Sequence, residues 1–221
     1  MNFLTTHSLM QSGLEDRLFT AAALEVRSGG TILFSEAYGT LGGCDTPSVT
    51  SDTLFDLASL TKVLATTPAW LLLAADSPPI LDRPISHWFP ECPADKVGIT
   101  PRHLLAHASG LPAWRPYYLM RLTGDILEST CSRILAEPLD YPVGRGCVYS
   151  DLGFILLGRI IQLETGYSLD RLCSERIYTP LGLEGDLMFR PRSHERLPGD
   201  VIPELYKLPG STVNRHNASS S

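Results

Sequence analysis

Ser59-Leu60-Thr61-Lys62 sets a hydroxyl and an amine three residues apart. That is nearly one helical turn, so both side chains share a face. A lysine held among apolar neighbours has a depressed pKa, because desolvation disfavours the ammonium. A neutral amine beside a hydroxyl can take its proton and make the serine oxygen a nucleophile. Tyr149-Ser150-Asp151 stands far down the chain, just before a periodic apolar segment. A phenol beside an ammonium can relay protons, and Asp151 can accept a hydrogen bond from Lys62 or cap the helix that follows. Each feature has an ordinary reading as well: a lysine whose stem packs while its head reaches water, and a helix cap preceded by a half-buried tyrosine.

Other chemistry finds less support. His103 and His107 are four apart, which is metal-ligand spacing, but no Glu follows His103 and no third ligand is evident. The favoured reading is that one of them hydrogen-bonds the turn at Ser109-Gly110. The five cysteines, Cys44, Cys92, Cys131, Cys147 and Cys173, are odd in number and widely spaced, which supports neither a zinc site nor a disulfide framework. Free thiols in a reducing cytoplasm are expected. There is no Gly-x-Ser-x-Gly elbow, phosphate loop or dinucleotide fingerprint. The chemistry implied needs side chains and water, with no metal and no organic cofactor.

The elements that must position these groups are readable in outline. A weak helical pattern over 8–19 precedes two strands, Thr20 to Arg27 and Thr31 to about Tyr38, joined at Ser28-Gly29-Gly30 as a hairpin. From Ser59 to Ala75 the chain is apolar nearly all round, which predicts a helix buried on several sides, kinked or divided at Pro68. Thr100-Pro101 starts a helix that should run to Ser109-Gly110. Leu152, Ile155, Leu156, Ile160 and Leu163 recur at helical intervals, with Asp151 as a cap and Gly166 as the stop. Ser168 caps another helix, broken at Pro180-Leu181-Gly182-Leu183.

The 221 residues carry a net charge of −6, with 43% apolar and 19% charged residues. That composition suits one globular domain, or one with a small second lobe. With only Lys62, Lys96 and Lys207 among the lysines, no basic stripe for nucleic acid exists. The longest uninterrupted apolar run, Ala69 to Ala75, is far shorter than a bilayer span. The first residues lack the basic and apolar regions of a signal peptide. Neither nucleic acid nor membrane is an expected partner, and a cytoplasmic location is expected.

Taken together, four segments resemble the serine β-lactamase-like hydrolases: class C β-lactamases, penicillin-binding carboxypeptidases and related esterases. Thr53 to Lys62 resembles the first active-site motif, and Ile99 to Pro112 resembles the His-Thr-Ser-Gly-Leu segment. Tyr149 to Gly158 resembles Tyr-x-Asn and its helix, and Pro180-Leu181-Gly182-Leu183 matches a further landmark. The resemblance implies a mixed α/β (α+β) fold of β-lactamase/transpeptidase type. Its domain would span 1–205, with the helix and hairpin at 8–58 and the helical lobe at 59–190. Residues 206–221 would be a disordered tail. It implies that Ser59 is acylated by an ester, amide or β-lactam substrate, with Lys62 as base and Tyr149 shuttling protons. Asp151 stands where the family more often has Asn. An anion there favours Lys62 as ammonium and moves the base role toward Tyr149.

One family motif is missing. No Lys/His-x-Gly follows Tyr149. In the family that late strand supplies an oxyanion-hole amide, partnered by the Ser59 amide, and helps complete the antiparallel sheet. The sheet lobe is therefore expected to be incomplete, a hairpin alone, in a truncated or frameshifted chain. The competing expectation is a catalytically inactive homologue that acts by binding, with the hairpin edge open to self-association.

Overall fold

The computed structural model describes residues 2–42, 47–120 and 124–189, so the expected tail at 206–221 lies outside them. They divide into two compact units, the first ending at Asp56 and the second starting at Leu57.

In the first unit, α1 (Leu4–Glu15) precedes β1 (Ala21–Ser28) and β2 (Thr31–Gly39). The strands pair antiparallel, Ala21 opposite Gly39 through Ser28 opposite Thr31. Gly29 and Gly30 both take positive φ, as a two-residue turn matched to strand twist requires. The helix starts and ends earlier than 8–19, and Arg17 at φ 57° turns the chain out of it. His7 on α1 pairs with Glu36 on β2 at 2.6 Å, and the buried Tyr38 hydroxyl donates to the same carboxylate. Among the described residues the sheet has two strands.

The second unit opens with a 3-10 turn at Ala58–Leu60 and a π turn at Lys62–Thr66, then α2 (Thr67–Asp76). Pro68 explains the division. It has no N–H to give the Leu64 carbonyl four residues back, and the Tyr178 hydroxyl donates to that oxygen instead, at 3.1 Å. The helix buries one side only. Ala65, Ala69 and Trp70 are fully buried, while Leu60, Val63 and Leu71 are 53%, 58% and 66% exposed. The expectation of burial on several sides is therefore corrected: the helices of this unit cover the Trp70 side alone. By length and composition Ala58–Asp76 could cross a bilayer, but Trp70 lies in the core and donates its indole N–H to the Leu157 carbonyl.

Next come α3 (Pro101–Leu105), α4 (Ile126–Ala136), α5 (Asp151–Thr165), α6 (Leu169–Cys173) and α7 (Thr179–Leu181). Thr100 caps α3 in a reciprocal box in which the His103 imidazole does the work usually given to Glu. The helix stops at Leu105, short of Ser109-Gly110, because His107 takes a left-handed conformation at φ 55°. Ser150, not Asp151, caps α5; its hydroxyl accepts the Gly153 N–H. Leu152, Leu156, Leu157, Ile160 and Ile161 bury the inner face of α5 against Trp70, Leu104 and Ile134, which form the core.

Candidate active site

Ser59 lies on the 3-10 turn and Lys62 begins the π turn. The Lys62 Nζ donates to Ser59 Oγ at 3.4 Å and to Asp151 Oδ1 at 2.6 Å. It also sits 4.8 Å from the Tyr149 ring centroid and 5.6 Å from that of Phe154, within cation–π reach. All four predicted site residues, Ser59, Lys62, Tyr149 and Asp151, therefore converge, and all belong to the second unit.

Charge is organised around the ammonium. Burial pulls Lys62 down, its side chain being only 14% exposed, but hydrogen bonds and charge at Asp151 and Tyr149 outweigh it and leave Lys62 above its ordinary value. The depressed lysine expected from an apolar setting is thus reversed, because the Asp151 carboxylate, 89 residues further on, reaches it. Hydrogen bonds from Lys62 and Ser59 hold the Tyr149 phenol below its ordinary value. Proton affinity moves from Tyr149 toward Lys62, as a cation beside a phenol dictates.

Tyr149 to Asp151 is suspended from the segment 107–113. Val148 N–H donates to the His107 carbonyl at 3.0 Å, Ser150 N–H to His107 Nδ1 at 3.1 Å, and Asp151 N–H to the Ala113 carbonyl at 2.8 Å. The Ser150 hydroxyl donates to the Pro112 carbonyl at 2.7 Å. Gly110 holds φ 82°, and a Cβ there would lie 2.2 Å from the Tyr141 carbonyl oxygen, so only glycine fits. Neither histidine ring bonds the Ser109-Gly110 turn. His103 serves the α3 cap and His107 serves Ser150. In the 114–118 loop Trp114 is exposed, while Tyr117 is buried with its hydroxyl donating to Glu137.

Three contributors carried no role at this site in the sequence analysis. Phe154 lies beside the ammonium; standing three residues after Asp151, it shares that residue's helical face, so the spacing carried a signal. The His107 ring lies tilted against Tyr149 at 4.6 Å and stacks on Phe154 at 5.1 Å, a long-range placement with no local signature. Ala58 takes φ 43° immediately before Ser59, a strained backbone for an L-residue.

The beta-lactamase family model matches residues 7–200, and the chain belongs to that family. Over 145 residues it is 35% identical to an Escherichia coli (strain K12) protein provisionally named a D-alanyl-D-alanine carboxypeptidase, covering 61% of this chain and 33% of that one. The structure resembles D-amino acid amidase from Ochrobactrum anthropi SV3 with TM-score 0.62 at 28% identity, over 80% of this chain and 51% of the amidase. It resembles EstCE1, a hydrolase with promiscuous acyltransferase activity, with TM-score 0.67 at 26% identity, over 80% of this chain and 50% of EstCE1. The chain thus spans about a third of the curated relative it matches and about half of these solved neighbours. The fold is β-lactamase/transpeptidase-like, with helices and a small antiparallel sheet, in a superfamily of serine hydrolases.

Proposed function

We propose that this chain carries the nucleophile and proton-transfer groups of a serine hydrolase that forms an acyl-enzyme at Ser59 with an ester, amide or lactam. The observation that carries the reading is the placement of the Lys62 ammonium between Ser59 Oγ and the Asp151 carboxylate, against the Tyr149 ring. With Lys62 protonated, the Tyr149 phenolate is the base. It takes the Ser59 proton as Oγ attacks the substrate carbonyl carbon. The phenol then gives that proton to the leaving amine or alkoxide as the carbonyl carbon–heteroatom bond breaks, leaving an ester on Oγ. In the second half Tyr149 takes a proton from water, hydroxide adds to the ester carbonyl, and Ser59 leaves reprotonated. Lys62 stays charged throughout and stabilises the phenolate. By resemblance to the family, the Ser59 amide is one oxyanion donor. By the same resemblance the second is placed by a Lys/His-x-Gly motif, which the given residues after Tyr149 do not contain.

The test is the intact mass of the chain after exposure to a fluorophosphonate or a fluorescent penicillin, beside Ser59→Ala. A single adduct that Ser59→Ala abolishes is expected. No adduct on a chain that circular dichroism shows to be folded overturns the reading.

A further inference from the structure

His107 is used by the fold in three ways, and together they bear on Tyr149. Its carbonyl accepts from the Tyr141 hydroxyl and from Val148 N–H, each at 3.0 Å. Its Nδ1 accepts from Ser150 N–H at 3.1 Å. Its ring lies against Tyr149, centroids 4.6 Å apart and planes inclined by 37°, and against Phe154, 5.1 Å and 30°. A backbone amide can only donate, so Nδ1 carries the lone pair and the imidazole proton sits on Nε2. That amide belongs to the peptide linking Tyr149 to Ser150, so this hydrogen bond fixes the backbone from which the phenol projects.

We propose that His107 is a positioning residue for Tyr149: its neutral imidazole grips the Tyr149–Ser150 peptide and backs the phenol ring, and protonation of His107 releases both. This rests on the reading of Tyr149 as the base. A proton on Nδ1 would face the Ser150 N–H, two donors with no acceptor, so the bond must break. It would also add a cation near the Lys62 ammonium. The charged and titratable groups around His107 are Lys62 from the π turn, Tyr149 and Asp151 at the start of α5, and the Tyr141 hydroxyl at its carbonyl. Burial and the Lys62 charge, in that order, hold His107 below its ordinary value, outweighing Asp151. The grip therefore persists through neutral pH and fails on acidification.

The experiment uses the full chain with 13Cζ-tyrosine and 15N-histidine, the Tyr149 resonance assigned by Tyr149→Phe and the His107 resonance by His107→Phe. The Nε2–H tautomer is expected for His107. The Tyr149 resonance should show an acid inflection that coincides with His107 protonation, and His107→Phe, which keeps a ring but cannot titrate or accept, should abolish it. An Nδ1–H tautomer, or a Tyr149 resonance indifferent to His107 protonation, overturns the proposal. The deciding titration is read on wild type, and triple-resonance assignment of the wild-type chain replaces either variant if it fails to fold. In parallel, Ser59 labelling by fluorophosphonate in His107→Ala should slow about tenfold or more, the scale of a misplaced catalytic group. Coupling without any Ser59 labelling would refute the hydrolase reading and leave the His107 inference standing; labelling without coupling would do the reverse.

Discussion

Asp151→Asn tests how a single carboxylate sets the proton affinity of the Lys62–Tyr149 pair. Asparagine keeps an oxygen for Lys62 to donate to but removes the charge. Two unit charges 2.6 Å apart attract by about 1.6 kcal/mol at the dielectric of water and about 6 kcal/mol at an effective value of 20. The Asp151 side chain is 51% exposed, so screening sets the lower end, about 1.5 kcal/mol. The proton that blocks the reaction belongs to the Lys62–Tyr149 pair, and its loss is one coupled step. Asp151 holds that proton on: it raises Lys62, and its charge also raises Tyr149. Removing the anion makes the first deprotonation of the pair easier, so the acid limb of Ser59 labelling should move to lower pH. On that limb the rate, relative to its own plateau, should rise roughly tenfold. The assay is the pH profile of fluorophosphonate labelling for wild type and Asp151→Asn, read by intact mass. A limb that stays in place, or moves up, would refute the idea that Asp151 stabilises the protonated pair.

Other consequences follow from packing and charge. Trp70→Ala removes a fully buried indole whose N–H is bonded to the Leu157 carbonyl and should cost about 3–5 kcal/mol in urea denaturation. Gly110→Ala forces a Cβ onto the Tyr141 carbonyl and should lower Tm sharply, whereas Gly124→Ala, with a similar φ but nothing near its Cβ, should lower it less. Burial pushes the Cys131 thiol up to about 12 and the Cys173 thiol up to about 11. Both should resist a thiol reagent at pH 8 until the chain unfolds, while the exposed Cys147 reacts at once. Hydrogen bonds from Tyr38 and then His7 hold Glu36 below the usual carboxylate range. Their contribution is present above that range and lost as pH falls through the lowered value, so amide exchange in β1 and β2 should quicken on acidification in wild type and less so in Glu36→Gln.

The sequence spoke most clearly where signals were local. Ser59 and Lys62 share a face because three residues make nearly a turn, and Gly29-Gly30 marks a hairpin because both residues must take positive φ. The approach of Tyr149 and Asp151 to Lys62 has no spacing signal: their chemistry made the pairing conceivable, and resemblance to a family gave the reason to expect it. Two neighbouring cap formers stood before α5. Ser150 took the role because a hydroxyl can accept from Gly153 while donating to the Pro112 carbonyl, whereas an ionised carboxylate can only accept. The early end of α3 was hidden because the His107 carbonyl is claimed by Tyr141 and Val148, partners that come from outside the helix. By contrast α4 was legible and passed over: Asp125 followed by Glu128 is a cap signature.

The distribution of strain fits a site rather than a surface. Among the described residues of the second unit, two non-glycine residues take positive φ, Ala58 and His107. Such conformations cost about 1 kcal/mol or more each and persist only where the surroundings over-determine them. Both stand at the same cluster. Ala58 sets the turn that presents Ser59, and His107 sets the segment that holds Tyr149. What over-determines His107 is visible in the hydrogen bonds to its carbonyl and to its ring nitrogen, together with two aromatic rings packed against its own. A helix that only needed to end could have done so at Gly110, three residues on, with no strain. Ending at His107 instead places an acceptor where the Tyr149–Ser150 peptide needs one. The cost of the bend is thus tied to the position of the phenol, which is the group the proposed chemistry asks to move a proton.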